Sequence, residues 1–369
     1  MNVEKWLTSK YQNCVNFVAL RPIKGRAMSF EMEQSAQHER MDEVGVMDAP
    51  ITRLLRDEQT DNCPLILELI AGTGVTKRLK SYLFGISVFH SAKETTTRAF
   101  NLLRSCVSPE TLKQAEKLKE SVSYHFSETD YLGKPRNGEI DVFDFLLASR
   151  MCQWHRPQAN RNHYFLTSHQ TLHLTHYPEA VLPPSFATLD FIRYLFLPAH
   201  KDFSIDESFE ALAALPLESI SMENVRLTHF PVALLRLPLL RTLSIRRGYY
   251  RPLHPMLTPD EGPYGSLSLE KLMIEGYPIS GEGRLGPFPR LKEASLVRCS
   301  LESIAFLQQS QQLETLNVRY NLLETLPAFL SEMTELRNAF FSHNPLQKIE
   351  ADLTPLKKLE ELEIILKMK

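Results

Sequence analysis

The chain has 369 residues, 43% of them hydrophobic and 23% charged, with a formal net charge of −2. That length allows about two domains and a sizeable core, and the near-neutral balance excludes bulk electrostatic attraction to nucleic acid or an anionic membrane, though not a local basic patch. The five cysteines are Cys14, Cys63, Cys106, Cys152 and Cys299; odd in number and widely spread, they form no disulfide framework and suit a reducing compartment.

Residues 1–22 lack a basic stretch followed by an apolar core, so no secretory signal is expected. No window approaches the roughly 18 apolar residues of a membrane span. A cytoplasmic location is therefore the expectation. Trp6, Leu7, Tyr11, Val15, Phe17 and Val18 would serve one short element within residues 1–50. Residues 29–50 are polar, acidic and weakly periodic, which reads as a loop or linker, with a helix over 29–43 as the alternative.

Residues 51–125 read as helical. The run 64–72 is apolar and closes on Gly72 and Gly74, a helix stop. Val75, Leu79, Tyr82, Leu83, Ile86 and Phe89 then recur at helical spacing. Ser91 with Glu94 predicts a capping box for the next helix, whose buried stripe is Ala92, Thr96, Ala99, Leu102 and Leu103. Ser108-Pro109-Glu110 predicts another helix start, with Pro at the first position and Leu112, Ala115 and Leu118 inward. Residues 126–139 read as a loop, and 140–155 as a helix with Ile140, Phe143, Leu146 and Leu147 inward. In style these antiparallel helices over 51–155 resemble HEAT-type repeats; a small helical domain is the other description.

After a junction at 156–168 the pattern changes. Leu313, Leu316, Val318, Asn321, Leu323, Leu326 and Pro327 spell L-x-x-L-x-L-x-x-N-x-L-x-x-L-P, and Leu336, Ala339, Phe341, Asn344, Leu346 and Ile349 repeat it. This resembles the leucine-rich-repeat family. The first position falls at His169, Ile192, Leu217, Leu240, Leu269, Leu291, Leu313, Leu336 and Leu359, about nine repeats of about 23 residues over 169–369. At the asparagine position stand instead Tyr177, Val225, Gly248, Tyr277 and Cys299.

The near-period-two alternation of L-x-x-L-x-L predicts one short strand per repeat with its leucines inward. The resemblance implies an α/β fold: a curved solenoid with a parallel sheet on its concave face, and asparagine side chains bonding neighbouring backbone. A solenoid end exposes raw core, so the helical domain is expected to cap the N-terminal end. At the other end Glu360, Glu361 and Glu363, with Lys367 and Lys369, either blunt an exposed strand edge or leave it to pair with another copy.

One repeat is long. Residues 246–268 are rich in Pro, Gly and Tyr, too irregular for a helix, and read as an excursion beginning on the concave side or its rim. It is either a tolerated insertion, because loop length costs little, or a recognition loop carrying Tyr249 and Tyr250.

Between the inward leucines, the outward positions form the candidate surface: Glu223, Asn224, Arg246, Arg247, Glu275, Arg298, Arg319, Tyr320, Phe340, Ser342 and His343. Its arginines and aromatics predict binding of a protein partner, one with an acidic segment; nucleic acid and membrane are not expected, and the oligomeric state is left open. His155, His163, His169, His173 and His176 follow Cys152 without finger spacing, so no metal is expected. The run 71–77 lacks the P-loop pattern, and no cofactor is expected. The favoured function is a non-enzymatic interaction module or scaffold. The alternative is an effector-like enzyme, thiol or ligase in type, using Cys14, Cys63, Cys106 or Cys152 with the repeats recognising substrate.

Overall fold

The computed structural model describes residues 48–57, 59–121, 138–154, 170–174, 177–198, 202–225, 227, 230–247, 264–280 and 284–365. Expectations for residues 1–47, for 126–137 of the expected loop, for the histidines other than His173 in the 155–176 run, for 248–263 with Tyr249 and Tyr250, and for Lys367 and Lys369 lie outside those residues.

Two residues after each first position a strand begins: β1 Thr171–His173, β2 Tyr194–Phe196, β3 Ser219–Glu223, β4 Thr242–Arg246, β5 Lys271–Glu275, β6 Glu293–Val297, β7 Thr315–Asn317, β9 Asn338–Phe340 and β11 Glu361–Glu363. They pair in parallel as one nine-stranded sheet, in that order. The register carries the repeat directly: Ile220 pairs Leu243, Ala294 pairs Leu316, and Leu316 pairs Ala339. All of these are buried. Because side chains alternate across a strand, the residues between them face the opposite side. Short 3₁₀ turns, at Pro184–Thr188, Val232–Arg236, Ala305–Leu307 and Ala328–Glu332, carry the chain back. A second, two-stranded sheet joins β8 (Thr325–Leu326) to β10 (Lys348–Ile349). No repeat can bury its own inner face, so stability comes from stacking.

The turn after each strand leaves buried backbone groups that need partners. Asn321 supplies them. Its Oδ1 accepts from the amides of Cys299 at 3.0 Å and Leu301 at 3.1 Å, and its Nδ2 donates to the carbonyls of Leu296 at 2.7 Å and Val318 at 2.9 Å. Asn344 does the same one repeat on, accepting from Leu323 and donating to Val318 and Phe341. Where the asparagine is absent, other groups substitute. The Cys299 thiol donates to Ile274 O at 3.3 Å, and the Tyr277 hydroxyl reaches Val225 O, two repeats back, at 2.6 Å.

The residue before each of these positions is left-handed: Asn224, Gly276, Arg298, Tyr320 and His343 have φ of 56°, 75°, 56°, 59° and 58°. For a non-glycine residue that conformation costs roughly 1–2 kcal/mol, which the buried side-chain bonds offset.

N-terminal to the sheet lie six helices: α1 Asp48–Leu55, α2 Cys63–Thr73, α3 Lys77–Phe89, α4 Lys93–Arg104, α5 Pro109–Ser121 and α6 Val142–Trp154. Helix α2 stops before Gly74, whose φ is 85°, and α5 starts at Pro109 with Ser108 Oγ accepting the Thr111 amide. The expected Ser91 capping box does not form. Helix α4 begins at Lys93 with Ala92 as its N-cap and no side-chain cap bond; the His90 ring accepts the Ala92 amide at 3.0 Å instead. Helix α3 is buried nearly all round, Ser81, Phe84, Gly85, Ser87 and Val88 included, so it is the central helix and not an amphipathic one. A Cβ on Gly85 would lie 2.7 Å from Ala148 Cβ; the absence of a side chain there lets α3 and α6 pack closely.

Helix α6 lies against the first repeat. Phe143 packs on Tyr177 and Phe186 at ring separations of 5.5 and 5.0 Å. Around that contact, Arg150 donates to Thr171 O, and Arg56 donates to Thr188 O and pairs with Asp190. Helices and strands thus share one core. Among the described residues, no helix is long and apolar enough to cross a membrane.

Candidate functional site

The sheet's outward face is built in rows, because equivalent residues of successive strands are in register. The middle row runs His173, Phe196, Ser221, Ser244, Met273, Ser295, Asn317, Phe340 and Glu363. Aromatic groups stand at its ends and small or flexible ones in its centre. His173 stacks on Phe196 at 4.1 Å. Near the other end the Arg319 guanidinium lies over the Phe340 ring at 4.3 Å while its Nε donates to Glu363 at 2.8 Å.

The left-handed turn residues make a second line along the edge of the strands. Arg298 Cζ lies 4.6 Å from the Tyr320 ring centroid, and Tyr320 in turn stacks on His343 at 4.0 Å with an interplanar angle of 6°. A shared backbone conformation in three successive repeats projects three side chains in parallel. Sequence reading selected all three residues without foreseeing that they stack. Tyr320 is 41% exposed, a large aromatic held in place and still open to solvent.

The other selected residues are distributed differently. Glu223 and Arg246 are register partners, and Arg246 in turn pairs across to Glu275, so acidic residues flank it on both sides. Arg319 is neutralised by Glu363. Arg247 was expected on the open face and is buried, its Cβ 3.2 Å from where Gly276 would carry one; the repeat that continues into the long insertion turns this side chain under its neighbour. Ser342, also expected to face outward, is buried. The expected single arginine patch is therefore broken up. The far end of the insertion, at Tyr264, bridges to Leu285, and its ring receives Arg236 of a return turn at 5.8 Å, so the chain re-enters among the return segments. A separate groove of about 690 Å³, lined by residues including Glu302, Leu322, Glu324, Pro327 and Pro345, contains none of the selected residues.

A different cluster sits among the helices. Asp61, Cys63 and His90 bring their ligand atoms within 4.8 Å of one another, and Cys152 Sγ stands 3.9 Å from Cys63 Sγ. His90 Nε2 bonds Asp61 Oδ2 at 2.8 Å. Burial pushes the His90 pKa down, but the bonds from Asp61 and Cys63 outweigh it and leave it near 9; the same His90 bond, against the cost of burial, holds Asp61 near 2. Sequence reading weighed both cysteines as nucleophiles but missed Asp61, two residues before Cys63, and His90, which comes from the end of another helix and shares no local spacing with either.

As a thiol–imidazole pair the cluster is poorly arranged. The Cys63 thiol is pushed well above its ordinary range, first by its bond to Cys152 and then by burial, and both ring nitrogens of His90 are engaged, with Asp61 and with the Ala92 amide. Burial also raises the Cys106 and Cys299 thiols. An activated nucleophile needs the reverse.

The stacked parallel strands, the apolar register and the asparagine bonds define a leucine-rich-repeat solenoid with a helical unit on its N-terminal side. No family model matches the chain, and no curated protein matches it. Among solved structures, the chain is similar to the LRR protein LIC12759 of Leptospira interrogans at 18% identity, over 53% of this chain and 54% of that one, with a TM-score of 0.37. An internalin (inlF) from Listeria monocytogenes is similar at 14% identity, over 49% of this chain and 70% of its own, TM-score 0.27. The leucine-rich repeat domain of APL1B is similar at 16% identity, over 49% and 64%, TM-score 0.28. The chain spans about half the length of the Leptospira protein.

Proposed function

We propose that the chain is a non-enzymatic recognition module that holds a protein partner on the outward face of its sheet, at the end where β6, β7 and β9 lie. The observation that carries this is the Arg298–Tyr320–His343 stack. Its residues are fixed by backbone conformation and by one another, so little side-chain freedom is lost on binding. Exposed Tyr and Arg are the side chains that most often anchor interfaces. An acidic segment of the partner would meet Arg298 beside the exposed Tyr320 ring, and the rest of the contact would be aromatic. The thiol-enzyme alternative has no comparable support: Cys63 and Cys152 are buried, and the Cys63 and Cys106 thiols are pushed above their ordinary range.

The experiment places a photo-crosslinking amino acid at Tyr320 and, separately, at Glu335, whose side chain is 45% exposed in the turn ahead of β9. Partner capture at Tyr320 and not at Glu335 is expected. Replacing Tyr320 and His343 together by Ala should leave the unfolding midpoint unchanged to within about 0.5 kcal/mol and weaken the captured partner's affinity roughly tenfold or more. Capture confined to Glu335, or unchanged affinity in a folded variant, overturns the reading.

A further inference from the structure

We propose that Asp61, Cys63, His90 and Cys152 form a structural site for a tetrahedral transition-metal ion, Zn²⁺ by the chemistry of its donors. The set holds two thiols, one imidazole and one carboxylate, the count and softness that Zn²⁺ takes in closed sites. Three of the donor atoms already converge within 4.8 Å. The separation of 3.9 Å between the two sulfurs matches the roughly 3.8 Å edge that two Zn–S bonds of about 2.3 Å subtend at a tetrahedral centre. Cys152 stands outside the converging group of three, so closing the site takes a rotation of its side chain toward Asp61 and His90.

The setting favours a structural ion. Cys63, His90 and Cys152 are buried, while the Asp61 side chain is 37% exposed and gives the ion a way in. The ligands come from three places in the fold: Asp61 and Cys63 at the start of α2, His90 just beyond α3, and Cys152 on α6. An ion here would tie three helices together, and one of them, α6, carries the contact with the first repeat.

Binding has a definite proton balance. Both thiols lose their protons to solvent, and the ring proton that His90 holds at Nε2, donated to Asp61, passes through solvent to Nδ1, which frees the Nε2 lone pair for the metal. The imidazole then holds its proton at Nδ1, so the Ala92 amide releases that nitrogen and turns to water, as its exposed position allows.

The test uses the full chain, reduced and stripped of metal, titrated with Co²⁺ alone. Binding of a single ion is expected, with the visible bands of tetrahedral Co²⁺ and a near-ultraviolet thiolate charge-transfer band, both removed by Zn²⁺. Zn²⁺ should raise the unfolding temperature. Cys63→Ser and Cys152→Ser should each reduce the charge-transfer band, and Asp61→Asn, at the exposed edge, should weaken Co²⁺ binding while the metal-free chain keeps its circular dichroism. Bands that lack thiolate charge transfer, or that persist unchanged in both serine variants, mean adventitious ions at surface groups and overturn the proposal. If the serine variants do not fold, Asp61→Asn decides: Co²⁺ affinity equal to that of the parent chain rejects the site.

Discussion

Asn321 shows how one side chain carries a repeat. It is buried and serves two amides and three carbonyls belonging to its own turn and the preceding repeat. Asn321→Ala strands those groups without water, and each orphaned group costs about 1–3 kcal/mol. We expect a loss of about 2–5 kcal/mol in urea unfolding, against about 1 kcal/mol for Tyr277→Phe, which removes the hydroxyl bonded to Val225 O. The contrast separates a ladder residue from a substitute for one.

Asp144 makes a different residue-scale prediction. It is buried beside Arg78 and Tyr82. Burial raises its pKa to about 7 from an ordinary 3.8, against the lowering influence of Arg78. A carboxyl with a raised folded pKa binds its proton more tightly when folded, so its contribution is present in full below about 3.8 and is lost as pH rises through about 7. Across that window the unfolding temperature of Asp144→Asn should fall less steeply than that of the parent chain; parallel curves would show that Asp144 is already ionised throughout.

At the scale of elements, what was legible in the sequence depended on how local the signal was. Every strand start could be placed because the leucine pattern recurs and each copy supports the next. Helix ends set by Gly74 and Ser108-Pro109 were legible for the same reason: a turn or cap is decided by adjacent residues. The Ser91 cap failed because a side chain from the preceding helix, His90, reached the Ala92 amide first. The burial of Arg247 was hidden because it depends on a glycine in the next repeat, Gly276. The Asp61–His90–Cys152 grouping was hidden more deeply, since its members meet only once three helices have packed. For helix α3 the sequence showed only the stripe of Leu79, Tyr82, Leu83, Ile86 and Phe89, and Ser81, Gly85 and Ser87 lie outside it. They are buried because Ser81 receives the Asp141 amide, Ser87 bonds Phe84 O, and Gly85 meets Ala148. Gly85→Leu should therefore destabilise the chain by about 1–3 kcal/mol or more through overpacking. Gly72→Leu, where nothing lies within 4 Å of an added Cβ, should stay within about 0.5 kcal/mol; thermal unfolding of the pair checks both.

Along the described sheet each strand pairs only with its neighbours, so the stability of the array is close to a sum of local terms, with the Tyr277–Val225 and Arg319–Glu363 bonds reaching across one repeat. That makes the contact between α6 and the first repeat decisive for whether helices and solenoid melt together. Phe143 is central to it, fully buried and in edge contact with Phe186. Truncating a buried Phe to Ala costs about 3–5 kcal/mol. In a single cooperative block that loss would lower protection everywhere. In a nearest-neighbour stack it falls on α6, β1 and β2 and fades along the sheet. We expect hydrogen exchange of Phe143→Ala to lose protection at Leu172 and Leu195 while Leu296 and Leu316, in β6 and β7, exchange as in the parent chain. Equal loss at all four amides would show instead that the helices and the whole sheet unfold as one unit.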